Sequence, residues 1–117
     1  MKILALHCDY IKFEAKKKAV KDAEELQNPK EEVDECLAVF CSVEKDDEKN
    51  PENVSKRCIQ EIEGIIGQVN AQKVVLYPYV HLSQKPSSPA VALKVLTNVQ
   101  KALNEKYDVH RSPFGWY

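Results

Sequence analysis

A histidine just past an apolar run is the residue in this sequence best placed to move a proton. His81 follows Tyr77-Pro78-Tyr79-Val80, so it stands at the end of a candidate buried strand, where a side chain is partly desolvated yet reaches a ligand. An imidazole there serves as acid, base or hydrogen-bond donor near neutral pH. The competing reading is a loop histidine bonded to a backbone carbonyl. Ser42 and Ser83 are nucleophiles only with a base in reach, and neither sits in a GxSxG elbow, so capping or turn roles are favoured. The four cysteines are Cys8, Cys36, Cys41 and Cys58. None forms a CxxC pair and the Cys36–Cys41 spacing is too wide for a zinc knuckle, so no metal site is assigned and the thiols read as small buried hydrophobes. Cys8 alone is a candidate for reactive chemistry, yet neighbours in a strand face opposite ways, which leaves His7 poorly aimed to activate it. The aromatic end, Phe114, Trp116 and Tyr117, either stacks on a nucleobase or plugs the edge of the core, and composition favours the plug. The run Lys16-Lys17-Lys18 with Lys21 reads first as a solvated face; as a phosphate-contacting patch its signal is nonspecific. No P-loop, GxGxxG or paired-histidine motif is present.

These residues need elements to position them. Residues 2–7 read as a short buried strand, Cys8-Asp9-Tyr10 as a turn, and 11–20 as a half-exposed strand pairing back as a hairpin. Residues 21–34 are charged and read as a loop. The continuous apolar run 35–43 fits a strand buried on both faces, and 44–49 a charged loop. Asn50-Pro51 is an N-cap with proline at the first helical position, opening a helix to about Asn70 whose sticky face is Val54, Cys58, Ile62, Ile65, Ile66 and Val69. Gly64 and Gly67 mark a place where something packs closely. Residues 74–77 form a second buried strand. Ser88-Pro89 repeats the capping device ahead of a helix ending near Tyr107, and 108–112 form a last short strand.

The order strand–helix–strand–helix–strand makes the last three strands parallel neighbours with both helices on one face. The predicted fold is therefore α/β, a mixed sheet with an N-terminal hairpin and a βαβαβ half. In such sheets ligands bind outside the carboxyl ends of the parallel strands. There Phe40–Val43, Tyr79–Ser83 and Phe114–Tyr117 converge, with His7 brought nearby by the first strand.

The chain has 117 residues, room for one domain. Seventeen basic and eighteen acidic side chains give a formal charge of -1, which excludes a uniformly basic nucleic-acid coat, so RNA contact must come from a local patch. No apolar run approaches the ~20 residues that span a bilayer, and the N-terminus does not read as a signal peptide. A cytoplasmic protein without membrane association is expected. The residues alone give a polar-aromatic crevice and no identified reaction.

Four segments carry a resemblance: His7-Cys8-Asp9-Tyr10; Ser42-Val43-Glu44-Lys45 running into Asp47-Glu48-Lys49-Asn50-Pro51-Glu52; Tyr77-Pro78-Tyr79-Val80-His81-Leu82-Ser83; and Pro113-Phe114-Gly115-Trp116-Tyr117. In order and at compatible spacing, they resemble the N-terminal editing domain of archaeal-type threonyl-tRNA synthetases. The resemblance implies a fold like that of D-aminoacyl-tRNA deacylases, usually a homodimer, with no cofactor. It also implies hydrolysis of serine wrongly esterified to threonine tRNA, the partner being the 3'-terminal aminoacyl-adenosine. Serine lacks one methyl of threonine, a difference worth only about 1–3 kcal/mol, so a second pocket that excludes the larger side chain is needed. By the resemblance, His81 and Tyr117 are catalytic. Ser42, the backbone at Val43 and Tyr79-Val80 hold the amino acid, and Phe114-Gly115 frame the adenosine. Val80 stands where a smaller residue is common, which narrows the pocket. The family orients a water with help from the ribose hydroxyl, so the protein positions and stabilises charge. A catalytic lysine follows the position of Tyr117 in the family, beyond this sequence, so the resemblance implies a single editing domain, 1–117, excerpted from a longer synthetase. Two other readings remain: a noncatalytic tRNA-binding or dimerisation appendage, and a redox or regulatory module using Cys8.

Overall fold

The apolar run at the centre of the sequence is the centre of the fold. A computed structural model describes residues 1–117, in which one mixed sheet has strand order β1-β2-β3-β4. Strands β1 (Lys2–Glu14) and β2 (Lys30–Ser42) are antiparallel, and β2, β3 (Lys73–Pro78) and β4 (Asp108–Arg111) are parallel. The helices α1 (Pro51–Val69) and α2 (Pro89–Leu103) are the crossovers between them. Both start as the sequence predicts: the Asn50 side chain accepts from the Asn53 N–H at 3.2 Å and the Ser88 hydroxyl from the Val91 N–H at 3.4 Å, each ahead of a proline. Both lie on one sheet face, where Leu37, Val39, Cys41, Val74 and Leu76 share a core with Cys58, Ile62 and Ile66 of α1 and Val95, Leu96 and Val99 of α2.

The N-terminal third differs from expectation. There is no turn at Cys8-Asp9-Tyr10; β1 runs straight through it, and its partner is β2, beginning at Lys30 in what reads as a loop. The cause is a phase change. Glu35, opposite Asp9, adopts the left-handed region at φ 42°, and beyond it the side-chain alternation slips by one. Cys8 and Ile11, and Cys36 and Val33, three apart in sequence, accordingly share one cluster. A two-residue alternation cannot be followed across such a step. β1 is also an edge strand, with Leu4 46% and Leu6 45% exposed. The helix α2 stops at Leu103. Gly64 and Gly67 have no neighbour within 4 Å of where a Cβ would stand, so no close packing selects them.

The second sheet face carries no helix. Its small cluster, Phe13, Val33, Cys36 and Val75, continues into an aromatic series. Phe13 meets Tyr77 (centroids 5.9 Å), Tyr77 meets Phe40 (5.3 Å), Phe40 meets Tyr79 (5.9 Å), and Tyr79 meets His81 (5.3 Å). This series leads to the carboxyl ends of β2 and β3.

Candidate functional site

The end of β2 is laced to the segment that follows β3. The Tyr79 N–H donates to the Cys41 carbonyl at 2.8 Å, the Ser87 N–H to the Val43 carbonyl at 2.9 Å, and the Lys45 N–H to the Lys85 carbonyl at 2.9 Å. Between these ties the chain makes a 3-10 turn, Val80–Leu82, carrying His81. Side chains fasten the turn from below. The Ser42 hydroxyl donates to the Val80 carbonyl at 3.5 Å, and the Ser83 hydroxyl donates to Glu44 at 2.7 Å while accepting from the Lys85 N–H. Glu44 is held in turn by the Met1 ammonium at 3.2 Å. The Ser83 hydroxyl, more than the ammonium, lowers its carboxyl below the ordinary range. Both serines therefore hold turns, as their sequence context favours.

The opposite wall is the C-terminal segment, and the loop between β1 and β2 holds it. Lys16 N–H donates to the Tyr117 carbonyl and Tyr117 N–H to the Lys17 carbonyl, both at 2.8 Å, and Ala19 N–H to the Gly115 carbonyl at 2.7 Å. Glu24 anchors this layer. Its carboxylate accepts from Arg111 Nη1 and Nη2 at 2.7 and 2.6 Å and from the Phe114 N–H at 2.8 Å, while its carbonyl accepts from Trp116 Nε1 at 2.8 Å. Arg111 foremost draws the Glu24 carboxyl below its usual value. Gly115 sits at φ 86°, and a Cβ there would fall 2.7 Å from Val20 Cγ2 and 2.9 Å from Ala23 Cα, so only glycine fits.

Between the walls lies a cavity of about 500 Å³. All eight residues singled out by sequence line it: Ser42, Val43, Tyr79, Val80, His81, Phe114, Gly115 and Tyr117. His81 and Tyr117 thus share one cavity. Phe114 also packs against the core and the Trp116 indole is bonded to Glu24, so these two plug the edge, while Tyr117 is 67% exposed and free to meet a ligand. His7 is not part of the site. It pairs with Leu37, well down β2, because β1 runs antiparallel. Sequence reasoning did not find Ala19 and Val20 or the α2 residues Ala92 and Leu96 in the lining. The Ser88-Pro89 cap was the available signal for the last two, since it starts α2 at the strand ends.

The cavity's chemistry is restrained. Cys41 lines it, but burial pushes its thiol well above the ordinary value and the thiol donates to the Val39 carbonyl at 3.4 Å, which makes it a poor nucleophile. Ser42 is committed to Val80. No cluster of histidine, cysteine and carboxylate residues fit for a metal occurs in the chain. The walls are mostly apolar, with backbone polar groups, the His81 ring and the Tyr117 hydroxyl for orientation. Such a cavity binds and orients better than it attacks.

Comparison with known proteins agrees over the whole length. The family described as the archaea-specific editing domain of threonyl-tRNA synthetase matches residues 1–117. The threonine–tRNA ligase of Methanocaldococcus jannaschii is 49% identical over 118 residues, that of Thermococcus sibiricus 47% over 120, and that of Methanococcoides burtonii 44% over 119. Each alignment covers all of this chain and 19% of the relative, so the chain spans about a fifth of the length of the curated relatives it matches. The motifs at the strand ends and the match along every residue lead to the same place: the chain belongs to the family of archaea-specific editing domains of threonyl-tRNA synthetase.

Proposed function

We propose that the chain is a single editing domain of a larger cytoplasmic synthetase and hydrolyses the ester of serine misattached to threonine tRNA. The observation that carries the reading is the convergence of His81, Tyr117 and the carboxyl ends of β2 and β3 on one cavity in a chain of this family. About 500 Å³ lies within the usual range for small-molecule sites, which suits an aminoacyl-adenosine better than a free amino acid. In this reading the backbone around Val43 and Tyr79-Val80 holds the serine, and the cavity excludes threonine by the size of its additional methyl. Water attacks the ester carbonyl, the acyl–oxygen bond breaks, and the proton passes to the departing ribose oxygen. The lack of a base-paired serine or an ionisable cysteine in the lining supports water as the nucleophile. His81, set edge-on against Tyr79, and the Tyr117 hydroxyl orient that water and the ribose.

The same reading gives the chain a D-aminoacyl-tRNA deacylase-like fold and a homodimeric state. Exposed Leu4 and Leu6 on the helix-free face support a second copy as the cover for that face. Incubation with seryl-tRNA and threonyl-tRNA, using both this chain and the full-length synthetase that carries it, tests the function. Selective loss of the serine ester, slowed in His81→Ala, is the expected result. Equal persistence of both esters in both proteins overturns it and favours a noncatalytic tRNA-binding appendage.

A further inference from the structure

The wall that closes the cavity carries a row of cations on its outer side. Lys16, Lys17, Lys18 and Lys21 are all exposed, and the backbone bonds of Lys16, Lys17 and Ala19 fix their segment to residues 115–117. Ala19 and Val20, between them, line the cavity. None of the four has a carboxylate within ion-pair distance; the ion pairs of the chain are made by Met1, Lys12, Lys106, His110 and Arg111. Of the acidic residues on the same loop, Glu24 is taken up by Arg111, and the exposed Asp22 and Glu25 make no ion pair with any of the four. The Lys18 ammonium stands 5.8 Å over the Trp116 ring. With a net charge of only -1 for the chain, this is a local positive strip rather than one side of a generally basic protein.

We propose that Lys16, Lys17, Lys18 and Lys21 form a rail for the phosphodiester backbone of the RNA whose 3' end enters the cavity. The proposal rests on the function argued above and names the surface that holds the rest of the strand. Unpaired ammonium groups beside a nucleoside-sized cavity suit phosphates that follow a terminal nucleoside, and contact with them releases bound counterions. Such contacts carry no sequence information, so the rail sets affinity and register while the cavity selects the amino acid.

The experiment replaces all four lysines by glutamine and compares two substrates, seryl-tRNA and 3'-seryl-adenosine, which has no phosphate. The expected result is a roughly tenfold or larger fall in kcat/KM for the tRNA at ~0.15 M salt, with the small substrate unaffected. Binding of uncharged tRNA, followed by fluorescence anisotropy across salt concentrations, is expected to lose about 0.7 in log–log slope per lost contact, up to roughly 3 for the set. Lys101→Gln, in the last turn of α2, is the control and leaves both substrates unchanged. Arginine at all four positions restores tRNA binding, which separates charge from a disturbed wall.

An unchanged salt slope in the glutamine variant overturns the rail even where editing stands, as does failure of the arginine variant to restore binding. Lost tRNA binding in a protein that hydrolyses neither substrate overturns the editing reading and leaves the rail in place. Equal loss with an acidic polypeptide competitor but none with tRNA overturns the choice of RNA.

Discussion

Removing the Glu24 carboxylate tests how far the C-terminal wall depends on one partly buried ion pair. In Glu24→Ala, Arg111 loses two charge-assisted bonds at 2.7 and 2.6 Å and keeps only the Gln100 oxygen at 2.8 Å, while the Phe114 N–H loses its acceptor. Stranding one member of a fully buried pair costs about 3–5 kcal/mol. Here the Arg111 side chain is 9% exposed but Glu24 is 29% exposed, so water reaches part of the vacated site. The expected loss is therefore about 2–3 kcal/mol, below the ~5–15 kcal/mol that holds a single domain. The variant folds, and its Tm falls by roughly 10 °C. Urea unfolding followed by Trp116 fluorescence is well suited to the measurement, because the lone tryptophan donates to the Glu24 carbonyl. Amide exchange is expected to accelerate at Ala19 and Tyr117 before it does in β2. Arg111→Ala completes a double-mutant cycle, with a coupling of at least ~1.5 kcal/mol expected for a desolvated pair. A loss below ~0.5 kcal/mol, typical of an exposed ion pair, would refute the idea that Glu24 holds the wall.

Gly115→Ala places a Cβ 2.7 Å from Val20 Cγ2 at a backbone φ of 86°; a cost of about 1–3 kcal/mol in urea unfolding is expected, and no cost would show the turn to be relaxed. Glu24 and Glu44 both have carboxyls below the ordinary 4.5, drawn down first by Arg111 and by the Ser83 hydroxyl respectively. Their contribution to stability is complete above that value and is lost as pH falls through the folded-state values. Stability is thus expected to be flat from pH 7 to about 5 and to drop below, less steeply in Glu24→Gln; a profile identical to that of the parent chain would remove Glu24 as a cause. Thiol labelling of the folded protein is expected to modify Cys8 first, since Cys36, Cys41 and Cys58 are buried and burial raises the last to about 12. Rapid modification of Cys58 would contradict the packing of α1 on the sheet.

The readable parts of this fold are those where one local signal fixes a structure. Asn50-Pro51 and Ser88-Pro89 mark both helix starts, and the apolar run 35–43 has the length and composition of a buried strand. From these the parallel order β2-β3-β4 follows, and with it the edge at which the cavity opens. The first 30 residues resist the same treatment because their structure is decided from a distance. The step in side-chain phase along β1 stands across from the left-handed φ of Glu35, some 26 positions away in sequence. The loop after β1 takes its shape from partners far along the chain: Glu24 meets Arg111, 87 residues later, and Lys16, Lys17 and Ala19 bond residues 115–117.

That division explains why the strand ends and the C-terminal segment were legible and the loop that backs the far wall was not. The residues on the strand-end side of the cavity, His81 and the ends of β2 and β3, are placed by topology, and topology follows from element order. The residues that close the cavity, Ala19, Val20 and the turn at Gly115, are placed by long-range backbone bonds, one long-range ion pair and a positive φ. No periodicity announces any of these. A wall fastened in this way can yield without disturbing the sheet, since no core residue beyond Phe114 belongs to it. A substitution at Glu24 should therefore separate two quantities that a rigid barrel would keep together: affinity for a terminal nucleoside would fall well before the protein unfolds.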